Sequence, residues 1–346
     1  MRRMWMIVPA ILLLTTTAYA LPLAETLPEG MRAAVEDGSI ADGAAWLIQS
    51  ARDAATELLR AGVRDAVLLT LTALLCGAAE CLGDGAGETR YVPWCGVLAV
   101  TTLAAGDLRA LIGLGAQTVD ELGTLAKLLL PTLAAAMAAG GFVSTAGVWQ
   151  VTTLMVCEAL SSVIERLLLP LVYCYIAASA AGAMLEESRL DILSDGLKKL
   201  VTGGLTALVA AFAGYLAVAG VLTGSADRTA VRVTKMAVSG AIPIVGGMIS
   251  EMTESVLAAA GTLRGTVGAV GVLAIGAVCL MPLLRLGIQF LLYQLAAFAA
   301  GLVGSKALGE YLDRLGGAFA LVFAMTATCA LVLLVALLVA ASVVTA

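Results

Sequence analysis

From Ala66 to Ala346 the chain is a near-unbroken series of apolar stretches, and this feature excludes most folds open to a sequence of its size. A helix crosses the hydrocarbon core of a bilayer with about 20 apolar residues, range roughly 17–25. Stretches of that kind run over about 66–83, 92–106, 122–139, 147–164, 167–185, 200–223, 266–281, 283–304 and 318–343. Several are short or merge with a neighbour, so about seven to nine spans are predicted. Hydrophobic residues make up 61% of the 346 and charged residues 13%, against roughly 45–50% and 25% in soluble domains. A soluble core of this length cannot bury so much apolar surface; a bilayer can. The expected fold class is all-α, a polytopic transmembrane helix bundle.

Ahead of that region lies an export signal. Arg2 and Arg3 precede an apolar run from Met6 to Leu14 and the small-x-small site Ala18-Tyr19-Ala20, the layout of a secretory signal peptide over residues 1–20. The mature N-terminus, near Leu21, is then expected outside the cytoplasm. Residues 21–65 form an extracytoplasmic segment, acidic and rich in turn formers (Pro22, Pro28, Gly30) at first. Its second part sets Leu47, Ala51, Ala54, Leu58 and Gly62 at helical spacing, with Arg52, Asp53, Glu57, Arg60 and Arg64 largely off that stripe, the pattern of an amphipathic helix. Two readings stand: a helix along the membrane face or against a partner, and an extension of the first span. The membrane domain follows over 66–346, broken by polar segments at Asp84–Arg90, Glu186–Lys199, Ser225–Lys235 and Ser305–Arg314. Lysine and arginine are too evenly spread among these to orient the later spans.

Charge and composition remove several function classes. A net charge of −5 without a basic cluster gives nucleic acid no phosphate-tracking surface. The absence of histidine removes Ser-His and Cys-His pairs, HExxH zinc sites and histidine proton relays. No catalytic, cofactor-binding or metal site is therefore predicted. The seven cysteines, Cys76, Cys81, Cys95, Cys157, Cys174, Cys279 and Cys329, lie in or beside apolar segments and form no CxxC pair, which reads as helix packing.

Prolines point to an internal duplication. Pro131 and Pro170 are 39 residues apart, as are Pro243 and Pro282. The first proline of each pair sits in a short apolar piece followed by a glycine pair, Gly140-Gly141 and Gly246-Gly247; the second opens the next helix. The predicted repeats are 92–186 and 200–304, with 318–343 as a terminal helix. Pro/Gly-interrupted segments at matching positions of two halves are a transporter-like signature. The piece between Lys235 and Glu251, roughly 22 Å at helical rise, is shorter than the ~30 Å core and reads as a re-entrant hairpin or broken helix, with an interfacial helix as the alternative.

Ionisable residues inside apolar tracts cost about 2.5–3.5 kcal/mol at a helix centre on insertion scales and so face protein or water. Glu158 is the most deeply placed acid, with Glu165 and Arg166 beyond it; Arg264, Arg285 and Lys127 are the cations of interest. A Glu158–Arg285 or Glu158–Arg264 pair across the repeat interface is the expected partnership. Small-residue faces at Gly261, Gly265, Gly268, Gly271 and Gly276, and at Gly203, Ala207, Ala210 and Gly214, suit close helix packing or contact between copies in an oligomer.

The run Thr229 to Lys235, the Ile242-Pro243-Ile244-Val245-Gly246-Gly247-Met248 piece, Glu254-Ser255-Val256, Leu263 to Gly268 and Pro282-Leu283-Leu284-Arg285 follow in an order and spacing that closely resemble the stage III sporulation protein AE family of endospore-forming bacteria. The likeness covers roughly 120–304 and is specific over 229–285. The chain departs from the pattern at Leu302-Val303-Gly304-Ser305 and in the charged 305–317 segment. The resemblance implies a multi-pass protein of the mother-cell membrane around the forespore, part of a trans-envelope channel complex needed for forespore development. Its expected partners are other stage III sporulation membrane proteins, including an ATPase and ring-forming subunits. It brings no catalytic residue and no assigned substrate. A secondary transporter and a membrane scaffold are the alternatives; an intramembrane enzyme has the least support.

Overall fold

The computed structural model describes residues 40–82, 92–139, 143–185, 188–223, 266–303 and 306–345, and all of them are helical. We number the helices α1 (Ile40–Leu82), α2 (Val92–Ala139), α3 (Val143–Val163), α4 (Leu169–Leu185), α5 (Ser188–Thr223), α6 (Thr266–Val303) and α7 (Lys306–Thr345), with a π-helical turn, Ile164–Leu168, joining α3 to α4. Counting α3, the turn and α4 as one rod, six rods are long and apolar enough to cross a membrane. The signal peptide, Pro243, Gly246, Gly247, Arg264 and the 235–251 piece lie outside the described residues.

The nine apolar stretches read from the sequence merge into these six rods. The stretches 92–106 and 122–139 are both parts of α2, and 266–281 and 283–304 both parts of α6. The amphipathic stretch and the first span are one helix, α1. The breaks had been placed at charges and prolines. A charged side chain interrupts hydropathy without touching the i→i−4 backbone ladder, so a helix runs through it unbroken.

Pro170 is the second residue of α4, which the π turn joins to α3 without a break, whereas Pro282 opens no new helix. Pro282 is buried inside α6, and Pro131 is half-buried inside α2. A proline within a helix removes one hydrogen bond and crowds the carbonyl four residues back, which packed membrane helices accommodate. Ahead of Pro170 the accommodation is visible: the ladder widens into the π turn, where the Leu169 N–H donates to the Ile164 carbonyl.

Cross-helix contacts fix the directions. Leu273 meets Gly43 and Leu292 meets Gly62, so α1 and α6 run parallel; Leu308 meets Gly96 and Val322 meets Gly115, so α2 and α7 do too. Leu337 against Gly271 and Phe323 against Gly287 set α6 and α7 antiparallel. The rods therefore alternate up and down between two ends. The charged end gathers the C-termini of α1, α4 and α6 and the N-termini of α2, α5 and α7. Here lie the charged segments 189–199 and 306–314. Beyond it α5 carries no charge from Leu200 to Thr223, nor α7 from Leu315 to Thr345.

The core is α7. Of its most apolar window 83% is buried, and it packs against α2, α4, α5 and α6. A helix apolar on every face belongs at a bundle centre. Thr326 and Thr328 are tolerated there because their hydroxyls donate back to the Val322 and Ala324 carbonyls, at 3.0 and 2.7 Å, leaving no polar group unpaired. At the charged end α6 and α7 cross so closely that a Cβ on Gly309 would lie 3.1 Å from the Gly301 Cα and backbone nitrogen.

Candidate functional site

Among the described residues, polar side chains gather in three places, each where the fold brings separate helices together. The largest is a chamber at the charged end, between α4, α5, α6 and α7. Two adjoining cavities of about 340 and 700 Å³ share Lys306, Glu310 and Arg314, and Asp191, Asp195, Lys198 and Asp313 add further charge. It forms because the polar segments 189–199 and 306–314 lie at the starts of α5 and α7, at the same level.

Arg314 anchors this chamber. Its Nη1 lies 2.7 Å from Asp191 Oδ1 and donates to Ser194 Oγ at 2.6 Å, and its side chain is 19% exposed. Ser194 in turn donates to the Asp191 carbonyl at 3.0 Å, and the buried Tyr175 hydroxyl donates to the Arg314 carbonyl, also at 3.0 Å. One guanidinium thus ties α5 to α7, while its backbone ties α7 to α4. Lys306 and Glu310, 3.8 Å apart and largely exposed, add little. Gly317 makes the tyrosine contact possible, since a Cβ there would sit 3.0 Å from the Tyr175 hydroxyl oxygen.

The second place lies deeper, between α2 and α6. Gln289 Nε2 donates to Asp107 Oδ2 at 2.9 Å, and the buried Tyr293 hydroxyl donates to the same oxygen at 3.4 Å. The half-buried Asp107 is thus held by neutral donors within a span. Truncation to Ala would orphan the Tyr293 hydroxyl and the Gln289 amide, a loss of about 1–3 kcal/mol. Asp107→Ala is therefore expected to unfold at lower denaturant than Asp107→Asn in a detergent titration, and equal midpoints would show that the network carries no stability.

The third is a cleft of about 150 Å³ between α2 and α3, lined by Asp120, Lys127, Glu158, Ser161, Ser162, Glu165 and Arg166 over a small-residue floor. Here Lys127 Nζ lies 2.6 Å from Glu158 Oε1, both side chains more than half exposed. The expected Glu158–Arg285 pair does not form. Arg285 is exposed on α6, on a different surface, and Lys127 meets Glu158 one helix away, on α2. The sequence had singled out Lys127 without pairing it. A contact across an antiparallel helix pair depends on the relative height of the two helices, which hydropathy does not record.

Of the other residues singled out in the sequence, Pro170 is exposed beside the π turn and Pro131 half-buried in α2, and the structure brings neither to a polar cluster. Sequence reasoning did not select Asp107, Tyr175, Asp191, Ser194, Gln289, Tyr293 or Arg314. Asp107 carried a usable signal, an acid amid an apolar tract; the two tyrosines, in apolar runs, gave none. Among the described residues no group of three or more His, Cys, Asp or Glu stands where it could hold a metal ion.

Comparison with known proteins decides the family. The stage III sporulation protein AE family matches residues 70–344, nearly the whole helical bundle. This chain belongs to that family. The stage III sporulation protein AE of Bacillus subtilis (strain 168) is 23% identical over 235 residues, which are 68% of this chain and 59% of the relative. The aligned part thus spans less than two thirds of the relative's length. No solved structure matches. Within this family the chain is a multi-pass, entirely helical membrane protein as far as it is described, and its charged chamber draws on 306–314, inside the matched residues.

Proposed function

We propose that this chain is a non-enzymatic membrane subunit of a sporulation-specific, secretion-like channel complex that joins mother cell and forespore and is required for forespore development. The observation that carries the proposal, beyond the family, is the position of α7. Its apolar side chains fill the bundle axis, with Ala318, Phe319, Ala327 and Ala336 all fully buried. Among the described residues, a single copy thus leaves no room beside α7 for a polar passage. Polar groups sit instead at the charged end, around Asp107 between α2 and α6, and on the outer α2–α3 surface, where other chains can complete a path. Two repeat units, 92–186 and 200–304, would supply the helices around α7.

In this reading the protein lies in the mother-cell membrane around the forespore, its signal peptide (1–20) removed and its mature N-terminus outside the cytoplasm. α1 then brings the chain inward and the charged end faces the mother-cell cytoplasm, in keeping with Arg189, Lys198, Lys199, Lys306 and Arg314 there. The chamber is then a docking place for cytoplasmic partners, an ATPase among them, while ring-forming subunits meet the opposite end. Purification from sporulating cells is expected to recover these proteins with the wild-type chain and to lose the ATPase from a chain with Lys306 and Glu310 both changed to Ala. Retention of the ATPase by that variant would refute the docking role.

A secondary transporter is the alternative, favoured by the Asp107 network within the spans. Glu158→Gln separates the two. As a complex subunit the variant is expected to sporulate at wild-type frequency, because the Gln carbonyl still accepts a hydrogen bond from Lys127. Loss of sporulation with normal assembly would favour coupled transport.

A further inference from the structure

Two exposed cations, on α1 and α6, and two exposed acids, at the α2–α3 cleft, lie at similar depths. Arg52 on α1 and Arg285 on α6 are exposed, and neither has a carboxylate partner among the described residues. Glu165 and Asp120, at the mouth of the α2–α3 cleft, are exposed and equally without a salt-bridge partner there. Contacts already described give the depth. Gly316 meets Tyr293 at its Cβ and Gly317 meets Tyr175 at its hydroxyl, which puts the two tyrosines within about one helical turn of the same level. Glu165 lies ten residues from Tyr175 toward the apolar end, and Arg285 eight residues from Tyr293 in the same direction, rises of about 15 and 12 Å. Leu292 meets Gly62, so Arg52, ten residues back along a parallel helix, is level with Pro282. Ser161 meets Gly123, so Asp120 is level with the π turn.

We propose that copies of this chain pack side by side in the membrane, the α1–α6 surface bearing Arg285 and Arg52 of one copy against the α2–α3 cleft bearing Glu165 and Asp120 of the next. The charges match: the cleft and its rim hold Asp120, Glu121, Glu158 and Glu165 against Lys127 and Arg166, an acidic excess that asks for cations from outside. The surroundings suit close approach as well. Ser161, Ser162, Gly123 and Ala126 line the cleft, small residues that let helices come together, and the exposed Val151 and Met155 beside it and Met281 beside Arg285 would be covered together. Every pair joins groups at similar depths, so neighbouring copies are related by rotation about an axis along the helices. The two surfaces differ, so the contact is head-to-tail, and such contacts close into a ring when the rotation allows. The inference stands whatever the complex transports.

Two differently tagged copies, expressed together and extracted in mild detergent, test it. Capture of one tag is expected to recover the other for the wild-type chain. Arg285→Glu in both copies, or Glu165→Arg in both, should reduce the recovery about tenfold by setting like charges together, and both changes in the same chain should restore it. Wild-type copies that do not co-purify, single variants that co-purify unchanged, or a double variant without rescue would each overturn the proposal. Should the charge-reversed chains fail to insert, a chain with Arg285→Cys and Glu165→Cys, and with the exposed Cys95 and Cys174 changed to Ser, takes their place. Mild oxidation in intact membranes is expected to give a ladder of linked copies, and a monomer band alone would refute the contact.

Discussion

Replacing Gly309 by Leu is expected to abolish stable packing of the α6–α7 hairpin. A Cβ at this position already lies 3.1 Å from the Gly301 Cα and nitrogen and 3.3 Å from the Ala297 carbonyl oxygen, all of them backbone atoms. A side chain in the way can rotate; backbone within a packed helix cannot. Inserting bulk into a well-packed core costs about 1–3 kcal/mol where neighbours have room to adjust, and Gly309→Leu should exceed that range because the helices must separate. Nearby Gly301 meets no atom within 4 Å of its own Cβ position, so Gly301→Ala is expected to be neutral or to stabilise by up to about 1 kcal/mol through helix propensity. Limited proteolysis of membranes checks both: rapid cleavage near residues 304–305 in Gly309→Leu alone is the expected pattern. Equal resistance in the two variants would mean that the close crossing is not maintained in the membrane.

Arg314→Leu is expected to produce the second large effect. It removes the guanidinium that holds Asp191 and Ser194 against α7 and leaves a half-exposed carboxylate without its counter-charge. Losing one partner of such a hydrogen-bonded pair costs about 2 kcal/mol here, discounted from the 3–5 of a fully buried pair because Asp191 still meets water. The changes Arg314→Leu and Asp191→Leu together should recover most of the loss, since replacing both ions by apolar groups is often neutral. Unfolding midpoints of the two single variants and the double variant in detergent give the coupling directly. Independent, additive losses would show that the 2.7 Å contact does not link α5 to α7. The same experiment bears on the proposed docking role, because the chamber keeps its shape only while α5 is held to α7.

The sequence and the structure part company in instructive ways. Hydropathy places every described span within an apolar tract, because the cost of unpaired backbone in lipid forces any such tract to be helical. Among the described residues it divides single helices into two stretches, because a charge such as Arg109 or a proline such as Pro282 interrupts hydropathy while the backbone ladder continues or bends. The stripe Leu47–Ala51–Ala54–Leu58–Gly62 was legible as one face, and at Gly62 it meets Leu292 of α6. The same reasoning named Glu158, Arg285 and Lys127 as charges of consequence yet paired Glu158 with the wrong cation. Asp107 and Arg314 escaped selection, because their partners Gln289 and Asp191 are 182 and 123 residues away.

By itself, then, the sequence determined the solvent, the helical class and the family. Each follows from local composition or from motifs that keep their order along the chain. Only the tertiary structure decided that the last helix fills the axis, that segments starting at 188 and 306 build one charged chamber, and that Glu158 answers Lys127. Those outcomes depend on the relative height and rotation of rods packed together. Helix crossings at glycine fix both, and no periodicity within a single helix records them.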